Sequence, residues 1–180
     1  MTRPSIPTGP PSSRRLRHLG PNPAADLVLM RSSGASHEVL LIRRALTASA
    51  DPGKWALPGG FVDTTAAAGE PCAPDLETPA HAALRELHEE AGIDLSSRES
   101  SLLAVGTYEG GDRDPRDTAD AWVQSHVFAL SVDVATGRTP ITAQDDAEAV
   151  QWHAIDALPI LAFDHARILG DAFRVLSYGS

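Results

Sequence analysis

The sequence predicts an α+β fold, a mixed β-sheet flanked by helices, and three observations carry that expectation. Short apolar runs of strand character interleave with two helical stretches, yet no regular strand–helix–strand alternation calls for an all-parallel sheet. The chain has 180 residues, 42% of them hydrophobic, enough for one sizeable core and one domain. No internal repeat divides it.

The elements follow in order. Residues 1–18 read as an extended or flexible arm: Pro4, Pro7, Pro10 and Pro11 break any helix there, and residues 19–180 form the domain. Asp26–Met30 and Val39–Ile42 are short buried strands separated by the turn-prone Ser32–Ser36. Trp55–Val62 is strand-like and carries Pro58, Gly59 and Gly60, whereas Thr64–Leu76, rich in small residues and proline, reads as a loop. Thr78–Ala91 is the clearest helix, with Thr78 as N-cap, Pro79 at the first helical position and Gly92 as the stop. Leu102–Thr107, Ser125–Val132 and Ala149–His153 are strands, and Gly110–Ala121 is a polar loop between the first two. Leu158–Ser177 closes the chain as a helix, because Leu161, His165, Ile168, Leu169, Ala172 and Val175 recur at helical spacing.

Composition removes several function classes. A formal net charge of −9 argues against a general nucleic-acid-binding surface. No apolar run reaches the roughly 18 residues of a membrane span. Arg3, Arg14, Arg15 and Arg17 hint at an organelle-targeting peptide, but the prolines among them break the amphipathic helix such a signal uses. Cys72 is the only cysteine, which rules out an internal disulfide and a cysteine-based zinc site. A reducing, cytoplasmic location is therefore expected.

The strongest chemical signal is Arg85-Glu86-Leu87-His88-Glu89-Glu90-Ala91-Gly92-Ile93. On a helix, Glu86, Glu89 and Glu90 share one face, spanning roughly a 100° arc, while Ala80, Ala83, Leu84, Leu87 and Ala91 make a separate face for the core. Carboxylates three and four positions apart repel one another. A hard divalent cation cancels that repulsion, and Mg²⁺ characteristically takes one or two carboxylates together with phosphate oxygens. Without further context, a solvated acidic face explains the same residues.

The wider pattern resembles the signature of the Nudix hydrolase family, G-x5-E-x7-R-E-U-x-E-E-x-G-U, where U is a bulky aliphatic residue. Seven residues lie between Glu77 and Arg85, and Arg85, Glu86, Leu87, Glu89, Glu90, Gly92 and Ile93 all match. Trp55-Ala56-Leu57-Pro58-Gly59-Gly60-Phe61-Val62-Asp63 is similar to the strand that leads into this helix. One departure stands out: sixteen residues separate Gly60 from Glu77 where the signature has five, an excess of eleven within Thr64–Leu76. The resemblance implies an α/β/α sandwich and a pyrophosphohydrolase dependent on Mg²⁺, with Mn²⁺ able to substitute. It implies Glu86 and Glu90 as metal ligands, Glu89 as a ligand to a further ion or through water, and the carbonyl of Gly59 or Gly60 completing the site. Arg85 would hold Glu77 or Glu86, and His88 is a solvent-facing filler.

Three further segments resemble the ADP-ribose pyrophosphatase branch of that family and the related sensor domain of an ADP-ribose-gated cation channel. They are Leu19–Asp26, Arg113–Trp122 and Gln144–Trp152. Asp117 and Ala119 depart from that branch's D-P-R-N-T-D-N-A-W stretch. The implied partner is a small-molecule nucleotide, with no nucleic acid and no membrane, and the implied reaction converts ADP-ribose to AMP and ribose 5-phosphate. Arg113, Asp114, Arg116, Asp120 and Trp122 are the candidate substrate contacts: Arg116 for a phosphate, Asp114 or Asp120 for ribose hydroxyls, and Trp122 for adenine or the core. The general base is expected to be Glu86 itself or one of Asp145, Asp146 and Glu148. Rival readings are another nucleoside-diphosphate derivative, such as a dinucleoside polyphosphate, NADH or a nucleoside triphosphate, and a non-catalytic ADP-ribose sensor.

Overall fold

The structure, a computed structural model, describes residues 16–33, 36–72, 76–110, 113–133, 141–143 and 147–178. Most of the expected arm, residues 1–15, lies outside them, as do Asp145 and Asp146. Seven strands share one sheet: β1 (Gly20–Ser33), β2 (Ser36–Arg44), β3 (Trp55–Ala56), β4 (Gly59–Phe61), β5 (Leu103–Tyr108), β6 (Ala121–Val132) and β7 (Ala147–Ala154). The main path runs β3-β2-β1-β6-β5, with β4 added to β1 and β7 added to β2. Only β1 and β6 run parallel, in register from Gly20↔Ala121 to Arg31↔Val132; the other pairs are antiparallel. The sheet is therefore mixed, as expected.

Alternation along the central strands divides the core in two. Ala25, Leu27 and Leu29 of β1 and Leu40 of β2 pack with Ala83, Leu84 and Leu87 of α1 (Pro79–Ala91). The intervening Val28, Met30, Val39 and Leu41 pack on the other face with Ile168, Leu169 and Ala172 of α2 (His165–Tyr178). A strand buried on both faces reads as an unbroken apolar run, and two helix layers about one sheet make the α/β/α sandwich. No helix among the described residues is long and apolar enough to cross a membrane.

α1 forms as its caps dictate. The Thr78 hydroxyl accepts the His81 N–H at 3.1 Å, and Gly92 takes the left-handed conformation (φ 71°) that ends the helix. β2 and β6 are longer than expected, β6 beginning at Ala121 instead of Ser125, and four further elements differ in extent or kind. β1 begins six residues before Asp26, taking in Pro21 and Pro23; its antiparallel pairing with β4 starts only at Ala24. Among the described residues, the only strand-like bond to Gly20–Pro23 on that side is Val62 N–H to Pro23 O at 2.9 Å. Neither proline has to donate there, an edge-like setting where proline is tolerated. Trp55–Val62 is two strands, because the Leu57 N–H turns to His165 Nδ1 at 3.0 Å instead of a ladder. α2 starts at His165, seven residues after Leu158: the Ala162 N–H bonds Trp55 O at 2.7 Å, and Phe163 has φ 50°, so the preceding segment pairs with β3 rather than coiling. A 3₁₀ segment, Ser96–Ser101, follows α1 unforeseen, entered where Asp94 accepts the Ser96 N–H at 2.9 Å.

The described part of the Thr64–Leu76 insertion belongs to no strand of the sheet and is mostly exposed. It does hold the junction of arm and domain: Gly69 N–H donates to Arg17 O at 2.8 Å, Leu19 N–H donates to Glu70 O at 3.1 Å, and Leu19 and Pro71 form an isolated bridge.

Candidate functional site

α1 and β4 bring the helix carboxylates against the two glycines. Gly59 N–H donates to Glu90 Oε2 at 3.0 Å, and Glu90 is 8% exposed. A Cβ on Gly60 would stand 2.3 Å from Glu86 Oε1, and one on Gly59 would stand 2.3 Å from the Ala25 carbonyl oxygen. Both positions need glycine because of close approach, but for different reasons. Gly59→Ala presses on backbone and is expected to cost about 1–3 kcal/mol of stability. Gly60→Ala presses on the movable end of Glu86, so melting temperature is expected to hold while kcat falls by about 10²-fold. Melting curves and turnover of the two variants check this, and the opposite assignment of effects would contradict the placement.

Arg85 ties the acidic cluster together. Its Nε and Nη2 donate to Glu77 at 3.2 and 2.8 Å, and Nη2 also donates to Phe61 O at 3.1 Å. Its Nη1 donates to Glu86 Oε1 at 2.9 Å and Glu89 Oε2 at 2.8 Å. These carboxylates hold the guanidinium yet more firmly charged than usual, the Glu77 hydrogen bond contributing most. Glu77 also accepts the Asp63 N–H at 2.9 Å. Burial raises its pKa, but the hydrogen bonds and charge of Arg85 outweigh that and hold it below the usual glutamate value. Glu77 thus anchors the strand-to-helix connection despite the insertion.

A cleft of about 270 Å³ opens beside this cluster. Glu86, Glu90, Gly59 and Gly60 line it together with Asp26, Arg44, Arg113, Asp114, Arg116 and His165. Asp114 is 5% exposed and holds Arg116 in a two-point pair, Nε to Oδ1 at 2.9 Å and Nη2 to Oδ2 at 2.7 Å. Burial raises the Asp114 pKa, and Arg116 more than reverses this. Arg113 is held by Asp164, with Nη2 3.0 Å from Oδ1, and by Ser125 at 3.2 Å. Asp114 therefore orients Arg116 in the cleft wall. His165 is buried, which pushes its pKa down. Since Nδ1 accepts the Leu57 N–H, its neutral ring carries the proton on Nε2, 4.0 Å from Asp26 Oδ1.

The remaining candidates lie elsewhere. The Glu89 side chain is 44% exposed beside Arg85, and Asp120 is exposed. Trp122 Nε1 donates to Glu109 at 3.0 Å, and exposed Glu148 accepts the Leu46 N–H at 2.9 Å. None of these four is in the cleft wall. Sequence reasoning missed Asp26, Arg44 and His165. Asp26 had a usable signal, an acid at the head of the apolar run Leu27–Met30; His165 was hidden by its fit to the helical period of the core.

Among the described residues no three His, Cys, Asp or Glu side chains converge into a ready metal cage. The cleft offers two hard carboxylates, Glu86 and Glu90, against a strand whose glycines admit close backbone approach, with arginines in the same walls. That donor set fits a cation sharing its coordination with water and phosphate oxygens, beside donors suited to a polyphosphate.

Comparison with known proteins identifies relatives of this chain and of its fold. The chain is 37% identical over 157 residues to the ADP-ribose pyrophosphatase of Methanocaldococcus jannaschii, covering 87% of this chain and 76% of that protein. It is 30% identical over 176 residues to the mitochondrial ADP-ribose pyrophosphatase of Rattus norvegicus, covering 83% of this chain and 47% of that one, so it spans about half of the rat protein. A MutT/nudix family protein from Enterococcus faecalis superposes with a TM-score of 0.68 at 27% identity, covering 88% of this chain and 63% of that one. The NUDIX domain of Shewanella oneidensis NrtR, solved complexed with ADP ribose, shares the fold with a TM-score of 0.66 at 23% identity, covering 87% and 89% of the two chains. The NUDIX domain family profile matches residues 20–173; this chain belongs to the NUDIX domain family.

Proposed function

We propose that the protein is a Nudix hydrolase that cleaves ADP-ribose to AMP and ribose 5-phosphate with a divalent cation, Mg²⁺ by preference. The observation that carries the reading is the joint presence of Glu86, Glu90, Arg113 and Arg116 in one cleft. The relatives named ADP-ribose pyrophosphatase support the choice of substrate. Glu86, Glu90 and the carbonyl of Gly60 would hold the cation, which when bound offsets the negative charge of the diphosphate and lowers the pKa of water. The chain's own residues do the rest. Arg116, presented edge-on by Asp114, and Arg113 bind phosphate oxygens. Water adds at one phosphorus as the bond from that phosphorus to the bridging oxygen breaks, and the proton of the water passes to a cleft carboxylate, Glu86 or Asp26. Glu89 restrains Arg85, and the exposed Glu148 takes no part. A cytoplasmic location accords with the single free cysteine.

Arg116→Lys keeps a positive charge beside Asp114 but loses the planar fork. It is expected to lower kcat/KM for ADP-ribose by about ten- to hundredfold, while a nucleoside triphosphate loses less. A panel of ADP-ribose, NADH, a dinucleoside polyphosphate and a nucleoside triphosphate tests this. Equal losses throughout would make Arg116 a general phosphate clamp, and preferred turnover of another panel member would overturn the substrate.

A further inference from the structure

A second cavity of about 270 Å³ adjoins the cleft, and Phe61 and Arg116 line both. The rest of its wall includes Leu16, Arg17 and His18 from the end of the arm, and Thr64 and Cys72 from the insertion. The backbone links Gly69 to Arg17 and Leu19 to Glu70 hold these two stretches together. Through Thr64 and Cys72 the insertion forms part of the pocket wall.

Two observations point to a ligand. His18 is 6% exposed, yet its Nδ1 has no hydrogen-bond partner. Its backbone, by contrast, is fixed at both ends by Asn22: His18 N–H donates to Asn22 Oδ1 at 3.0 Å, and Asn22 Nδ2 donates to His18 O at 2.9 Å. A buried ring nitrogen without a partner carries a desolvation cost, and because His18 lines the pocket, a turn of its ring would offer that nitrogen to a hydrogen-bonding ligand. Second, the Phe61 residue is 41% exposed at the junction of the two cavities, with the Arg116 guanidinium 5.2 Å from its ring centroid. An open aromatic face between a phosphate-handling cleft and a pocket walled partly by Leu16, Pro23 and Val62 is a stacking surface for a flat ring.

We propose that the pocket between the insertion and Leu16–His18 is the subsite for the substrate's nucleobase, which stacks on Phe61 and hydrogen-bonds His18. The assignment rests on the ADP-ribose reading and names which end of that substrate goes where: the base enters this pocket, and the ribose 5-phosphate end stays in the carboxylate cleft.

Cys72 is a native probe, because it lines the pocket and is the only thiol of the chain. Alkylation of the wild-type protein by iodoacetamide is expected to slow at least about fivefold with saturating AMP and not with ribose 5-phosphate. His18→Ala, whose lost ring nitrogen has no partner in the protein, is expected to weaken AMP binding about tenfold by calorimetry and to leave ribose 5-phosphate binding unchanged. Protection by ribose 5-phosphate, or AMP bound at saturation without protection, overturns the subsite while ADP-ribose turnover still stands. Protection by AMP in a protein that leaves ADP-ribose intact upholds the subsite and sinks the substrate. The protection result decides the matter even if His18→Ala does not fold.

Discussion

Glu86→Gln and Glu90→Gln are each expected to lower kcat by at least about 10²-fold while the protein stays folded. Both side chains line the cleft beside Gly59 and Gly60. Glutamine keeps the size of each side chain and removes the charge that a cation would need. The two variants separate on stability. Glu90 is buried and accepts the Gly59 N–H, a bond that glutamine's carbonyl oxygen can retain. Glu86 accepts from Arg85, so its variant weakens one arm of that network. Turnover measured across a Mg²⁺ titration checks the assignment. Wild-type rates at limiting Mg²⁺ in both variants would remove these residues from any metal site, whereas a loss recovered at high Mg²⁺ would place the defect in cation affinity.

Arg85→Ala is expected to combine a stability loss with an activity loss. Its guanidinium joins Glu77, Phe61 O, Glu86 and Glu89, and the Glu77 side chain is only 8% exposed. Removing the cation leaves a nearly buried carboxylate without its partner, a change worth about 3 kcal/mol. For a chain of this size that lowers the melting temperature by about 6–12 °C. The freed Glu86 should also lower kcat by about 10²-fold. Adding Glu77→Gln to Arg85→Ala is expected to restore much of the stability and none of the activity, because the buried charge goes but Glu86 remains unrestrained. An unaltered melting temperature for Arg85→Ala would show that the network contributes nothing to the fold.

The parts of the fold with local causes were legible in the sequence. α1 carries its own N-cap, proline and stop glycine. The central strands show as apolar runs because both of their faces are covered. Elements set by tertiary partners were not legible. Pro21 and Pro23 argue against a strand until β6 is known to pair with them along a stretch that β4 does not reach. The period from Leu161 onward argues for helix until the Ala162 N–H is seen to bond Trp55 O. The candidate site divides in the same way. Helical spacing places Glu86, Glu89 and Glu90 together, but only the third dimension shows Glu86 and Glu90 in the cleft and Glu89 beside Arg85. In the Arg113–Trp122 segment, Arg113, Asp114 and Arg116 reach the cleft while Asp120 and Trp122 do not. The Asp114-Pro115-Arg116-Asp117 run is legible as a turn, but the Asp114–Arg116 pair that aims Arg116 has no signature in residue order. Asp26 and His165 come from distant points of the chain, and only the sheet and α2 bring them together.

The central claim is that this cleft, with a divalent cation, splits the diphosphate of ADP-ribose. Product analysis of ADP-ribose incubated with the wild-type protein tests it most directly. AMP and ribose 5-phosphate are expected in equal amounts with Mg²⁺, none with EDTA, and full recovery when Mg²⁺ is restored in excess. Intact ADP-ribose under all conditions, release of ADP and free ribose, or turnover indifferent to EDTA would contradict it.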